Sequence, residues 1–148
     1  MQKQVLMYSH FTIFDTVNLQ VDGAVVKLSG KVTMPYKRDD IERRVRQVAG
    51  VQRVDNKIEV LPVSQFDDDL RVGIAHAIYS NPAFRPLAAM ANPPIHVIVE
   101  NGRVTLDGVV LNEVDRAIAR SIVGSFPAFS FDNRLRTEAE VQQELEKL

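Results

Sequence analysis

The sequence predicts an α+β protein made of two tandem αββαβ modules, each a small three-stranded mixed sheet with two helices on one face. Three observations lead there. First, Val21 to Gly30 overlies Val99 to Gly108 without a gap, 78 positions further on, and repetition at a fixed offset marks a duplicated structural unit. Second, both stretches alternate apolar with polar residues and carry a turn dipeptide, Asp22-Gly23 and Asn101-Gly102, which is the pattern of a β-hairpin with one buried face. Third, each hairpin is followed by apolar residues at helical spacing and then by another apolar-alternating segment.

The unit opens with a helix. In the second copy Asp67, Asp68 and Asp69 favour a helix N-terminus through the dipole, Leu70, Ile74, Ala77 and Ile78 continue an apolar stripe, and Asn81-Pro82 ends it. In the first copy Gln2 to Tyr8 reads as the latter half of that helix, with Tyr8-Ser9 echoing Tyr79-Ser80. The first strand is Val17 to Val21, matched by Ile95 to Val99. The second presents Val26, Leu28 and Val32, matched by Val104, Leu106 and Val110. Gly30 and Gly108 interrupt it at equivalent places and predict a bend, since a strand glycine marks a bulge or a close backbone approach. The second helix places Ile41, Val45 and Val48 on one face, with Asp39 or Asp40 as its cap. Its counterpart places Val114, Ile118 and Ile122 four residues apart, with Asn112 capping three residues ahead of Asp115. Gly50 to Ile58 and Pro127 to Leu135 supply the third strand. The expected boundaries are a first module at 1–61, a second at 66–136, and a polar C-terminal helix at 137–148. That last helix, with Val141, Leu145 and Leu148 in a narrow stripe, replaces the first copy's missing helix, pairs two chains, or frays.

The residues that carry this reading resemble the BON domain, a family of bacterial osmotic-stress and nodulation-related envelope proteins. Its pattern V-x-(D/N)-G-x-V-x-L-x-G-x-V, followed by a helix and G-V-x-x-V-x-N-x-(L/I)-x-V, is met nearly throughout from Val21 to Val32 and from Gly50 to Val60. The second copy departs from it at Pro127, where the closing glycine is expected, and at Phe131. The resemblance implies a periplasmic or otherwise exported protein without enzymatic activity, which associates with phospholipid surfaces or with other envelope proteins.

Composition narrows the alternatives. With 18 basic and 19 acidic residues the formal net charge is −1, so no global field draws in nucleic acid or a membrane, and an electrostatic partner site must be a local patch. The chain has no cysteine, which removes disulfides, thiolate metal sites and a cysteine nucleophile. The first 30 residues lack an apolar run with a basic start and a small-residue cleavage site. His10, His76 and His96 have no ligand partners at metal spacing, so neither a metal nor another cofactor is expected. Ser9-His10 and the run Asp67 to Asp69 lack a nucleophile elbow or an ordered base, and helix capping accounts for the aspartates. The glycines belong to hairpins and not to strand-to-helix turns, so no phosphate loop is present, and the Gly-x-x-Gly loop of a KH-type RNA module is absent.

Two candidate surfaces remain. Lys37, Arg38, Arg43, Arg44 and Arg46 lie on and just before a helix whose other face is core. They meet anionic headgroups at about 1 kcal/mol per basic residue, or they form a solvated face balanced by Asp39, Asp40 and Glu42. The segment from Pro82 to Pro94 holds four of the seven prolines and adds about seven residues relative to the first copy, and such insertions are often functional. Its Phe84, Leu87 and Met90, if exposed, enter a bilayer interface or a partner groove; if buried, they pack between or against the modules. The expected function is an envelope-associated binding module for anionic phospholipid, or else a structural adaptor that docks envelope proteins or builds homo-oligomers.

Overall fold

A computed structural model describes residues 2–148, and the chain divides into two compact units, Met1–Pro62 and Val63–Leu148. The first contains α1 (Gln2–Leu6), β1 (Thr16–Asp22), β2 (Val25–Val32), α2 (Pro35–Arg46), β3 (Arg53–Asn56) and β4 (Glu59–Val60). The second contains α3 (Gln65–Ser80), a 3₁₀ turn (Arg85–Ala89), β5 (His96–Glu100), β6 (Arg103–Val110), α4 (Glu113–Gly124), β7 (Ser130–Thr137) and α5 (Glu138–Glu146). The fold is therefore a tandem pair of αββαβ modules.

In both units the hairpin strands are antiparallel and the third strand runs parallel to the second. The helix between them carries the chain back along the sheet face, as a parallel connection requires. One face of each sheet is dry. On β2, Val26, Leu28 and Val32 are at most 1% exposed, while Lys27 and Ser29 point to solvent. Ile41 and Val45 of α2 close this core together with Val5, Tyr8, Val54 and Ile58, and each such buried side chain contributes about 1.5–3 kcal/mol. In the second unit Val97, Val99, Val104 and Leu106 form the same dry face.

Gly30 and Gly108 mark close backbone approaches. The ladder from Thr16–Lys31 to Asp22–Val25 is unbroken, so the first copy contains no bulge at Gly30. Both glycines have positive φ, 127° and 131°, and a Cβ there would lie 2.1 Å from the Thr16 carbonyl oxygen or 1.9 Å from that of Pro94. Only a residue without a side chain fits. Pairing of Asp22 with Val25 puts the first turn on Gly23-Ala24, one residue later than the Asp22-Gly23 dipeptide suggested. Gly23 alone has positive φ there, whereas Asn101 and Gly102 both do, so the two hairpins turn as types II′ and I′ respectively.

Three further expectations are corrected. Asp39 and Asp40 do not cap α2: the helix starts at Pro35 behind Met34, which makes no side-chain cap, because a proline at the first position already has a helical φ and no N–H to satisfy. The third strand of the first copy is broken into β3 and β4, whereas its counterpart β7 is continuous. Finally, α4 is rolled by about one residue from the expected face. Ala119 and Val123 are the buried positions, Ile118 and Ile122 are half-buried, and Val114 is 66% exposed; the small Ala119 side chain faces inward in place of an isoleucine. Asn112 caps α4 as expected, accepting from the Asp115 N–H at 2.9 Å.

The C-terminal helix α5 packs on its own module against β7 and β6. Thr137 caps it, and Arg116 of α4 reaches both Glu140 and the Leu135 carbonyl. Leu145 and Leu148 remain exposed.

Candidate binding surface

The five basic residues of α2 are not presented alike. Lys37 is buried, 5% exposed. Its Nζ lies 2.8 Å from the Asp15 carboxylate and donates to Thr33 Oγ1 at 2.8 Å. Asp15 also accepts from the main-chain N–H groups of Thr12 and Thr33, so it is a fully satisfied buried ion pair of the kind that persists in a core. Lys37 is thus withdrawn from the candidate lipid-facing set; its ammonium is consumed by a partner 22 residues upstream.

Arg44 lies along the side of α2 with its guanidinium 5.3 Å from the Tyr8 ring centroid, a cation–π contact. Tyr8 donates to Asp40 at 2.5 Å, and His10 meets the edges of Tyr8 and Tyr36. Burial, and then the hydrogen bond to Asp40, push the Tyr8 phenol well above its ordinary range. The same hydroxyl, ahead of the Arg43 guanidinium, holds the Asp40 carboxyl below the usual carboxylate range. Arg38, Arg43 and Arg46 are exposed. Arg43 pairs with Asp40, Arg46 lies 3.2 Å from Glu42, and Arg38 lies 3.8 Å from Asp39. Each guanidinium therefore has a carboxylate close by.

The inserted segment buries its own aromatic. Phe84 is fully buried and its carbonyl accepts from the Leu87 N–H in the 3₁₀ turn, so it cannot serve as a membrane or partner contact in this conformation. Leu87 is half-buried and Met90 is 49% exposed. Met90 is the member of the apolar trio that faces out.

Several polar residues matter more than their sequence context indicated. Asp67 is fully buried and accepts the N–H groups of Asn101 and Gly102 at 2.9 and 2.8 Å, which pins the β5–β6 turn to α3; Ser64 is the residue that caps the helix. Tyr79 Oη donates to the Ile95 carbonyl at 2.6 Å and accepts the Ile95 N–H at 2.9 Å, and burial pushes its phenol up to about 12. Arg71, also buried, donates to the Val99 carbonyl at 2.6 Å. A clasp is repeated in both copies: Asn56 donates to the Arg38 carbonyl while accepting from Ile58, and Asn133 donates to the Arg116 carbonyl while accepting from Leu135. The asparagine of the third strand thus ties strand to helix in each module.

Among the described residues no group of three or more histidine or carboxylate side chains converges as a metal site, and no helix is long and apolar enough to cross a membrane. A shallow cleft of about 320 Å³ on the open face of the first sheet, lined by Asn18, Gln20, Lys27, Ser29, Asp55 and Lys57, brings together only ordinary surface groups.

Duplicated hairpins, a glycine at each close strand approach and the repeated asparagine clasp define a tandem small-module protein. The chain belongs to the BON domain family, matching it over residues 7–62 and 67–129. No curated protein matches the chain. Among solved structures it is similar to the C-terminal domain of CdsD, a structural protein of the type III secretion system of Chlamydia trachomatis, at 16% identity and a TM-score of 0.43, covering 98% of this chain and 68% of that one. A second CdsD structure matches at 14% identity and a TM-score of 0.28, covering 90% of this chain and 92% of that one.

Proposed function

We propose that the chain is a non-catalytic, envelope-associated binding module, periplasmic or otherwise exported, whose α2 rests Arg38, Arg43 and Arg46 on anionic phospholipid. The observation supporting this is the ordering of charge by depth. The Arg43 and Arg46 side chains are 65% and 61% exposed, while their carboxylate partners are 27% and 31% exposed, so in these two pairs the guanidinium is the more exposed group, whereas Arg38 at 49% is less exposed than Asp39 at 72% and adds least. A membrane's surface potential decays within a Debye length of about 8 Å, so the outermost charges weigh most. Two well-presented basic residues at about 1 kcal/mol each, less the opposing carboxylates, leave an attraction below about 2 kcal/mol per chain. Binding is then weak, reversible and salt-sensitive. In the second unit Met90 offers an apolar contact of its own.

Vesicle flotation tests this reading. Association is expected with vesicles containing phosphatidylserine or phosphatidylglycerol at low salt, lost at raised salt, absent on phosphatidylcholine, and lost in the double variant Arg43→Glu, Arg46→Glu. Binding indifferent to lipid charge would overturn it.

A second reading, an adaptor for envelope proteins, is favoured by Phe66 and Phe129. Both adjoin Gly102 at the β5–β6 turn, and they are 45% and 83% exposed. Adjacent exposed aromatics are characteristic of interaction surfaces. Such binding survives salt, ignores charge reversal on α2 and weakens in Phe129→Ser.

A further inference from the structure

Asn101-Gly102 is the one place in the chain where glycine follows asparagine, and that dipeptide carries a chemistry of its own. The main-chain nitrogen after an asparagine attacks the asparagine side-chain amide, and a glycine nitrogen, with no side chain beside it, meets the least obstruction. The steps balance. The Gly102 nitrogen gives its proton to a solvent base and bonds to Asn101 Cγ. The side-chain nitrogen leaves as ammonia, taking a proton back, and water then opens the five-membered imide at one of its two carbonyls. The product is aspartate or, with the main chain rerouted through the side chain, isoaspartate.

The fold holds that nitrogen fast. Gly102 is buried although Asn101 is exposed. The Gly102 N–H donates to Asp67 Oδ1 at 2.8 Å, and the Asn101 N–H donates to Oδ2 at 2.9 Å. The Gly102 carbonyl accepts from the Phe129 N–H at 2.8 Å, so the residue is fixed at both of its main-chain groups. Two rings roof it: a Cβ built on Gly102 would lie 2.4 Å from the Phe129 ring and 3.3 Å from that of Phe66. They screen the nitrogen from a solvent base. The Asp67 carboxylate, itself fully buried, keeps the proton in place, since its negative charge opposes the amide anion that the attack requires.

We propose that Asn101 is a latent self-modification site and that Asp67 is its guard. Deamidation proceeds through the local opening in which the β5–β6 turn leaves the α3 carboxylate. Such openings occupy a small fraction of molecules, so the folded chain converts slowly. The change is one-way. It adds a negative charge to the turn that Asp67 holds, and like charges repel strongly where water is scarce. Isoaspartate also lengthens the main chain between Glu100 and Arg103, which pair across the turn. A converted turn does not re-engage α3, so each opening that lasts long enough leaves a permanent mark.

The whole chain, incubated at mildly alkaline pH, tests this, with the peptide bearing Asn101 followed by tandem mass spectrometry beside a synthetic peptide spanning Ile98 to Thr105. Conversion in the folded chain is expected to be slower than in the synthetic peptide by about tenfold or more, and Asp67→Ala is expected to recover about tenfold or more of that rate. Asp67→Asn, which keeps one acceptor oxygen and loses the charge, falls between the two; it decides the matter if circular dichroism shows Asp67→Ala unfolded. Tyr79→Phe removes the hydrogen bonds to Ile95 at the far end of β5, loosening the same unit without touching the turn, and is expected to leave Asn101 slow. A folded chain that converts as fast as the synthetic peptide, Asp67 variants no faster than the parent, or Tyr79→Phe as fast as the Asp67 variants would each overturn the proposal.

Discussion

Lys37 and Arg43 lie six positions apart on one helix and carry the same formal charge, yet the structure gives them opposite roles. Removing the Lys37 ammonium leaves the Asp15 carboxylate buried without its cation, and breaking one partner of a buried pair costs about 3–5 kcal/mol. Lys37→Met is therefore expected to lower the unfolding free energy of the first unit by that amount, whereas Arg43→Ala, at a screened surface pair, should shift stability by less than about 1 kcal/mol. Chemical denaturation of both variants checks the contrast. The charge of Lys37 was legible in the sequence, but its burial was not, because its partner comes from the loop before β1 and no local spacing links them. The repeated asparagines Asn56 and Asn133 were visible as part of a motif, while their task of holding the helix carbonyls of Arg38 and Arg116 needed the fold.

The helices and strands were legible where a single periodicity governs them. Strand alternation placed Val26, Leu28 and Val32 correctly inward, and α3 ends at Ser80, just before Asn81-Pro82. Legibility failed where side-chain volume or a distant hydrogen bond decides. Spacing alone made Val114 a core residue, but α4 turns Ala119 inward instead, and only the fold decides that Phe84 is buried while Met90 of the same segment is exposed. Asp67 belongs to this scale as well. Read as one of three acidic residues at a helix start, it also fastens a hairpin turn, through two N–H donors to a buried carboxylate. Hydrogen bonds of this charged kind contribute about 1.5–3 kcal/mol. Asp67→Ala is expected to destabilise the second unit by about 2–3 kcal/mol, with faster amide exchange at Asn101 and Gly102 while the α2 amides keep their protection; hydrogen exchange followed by nuclear magnetic resonance reads both at once.

The whole molecule was the most legible level, because duplication writes the same constraints twice and an accidental match rarely repeats its glycines, its hairpin and its third strand in order. What duplication hides is divergence between the copies. The second unit adds a 3₁₀ turn ahead of its hairpin and α5 after its last strand, and it keeps its sheet and all its helices within Val63–Leu148. That segment expressed alone is expected to unfold in one cooperative transition by circular dichroism; a gradual, non-cooperative loss of signal would show that it depends on the first unit. Because a Cβ at Gly30 or Gly108 would collide with the facing carbonyl oxygen of Thr16 or Pro94, neither module tolerates a side chain at that point, and these are the two places where a single added methyl group unmakes a hairpin.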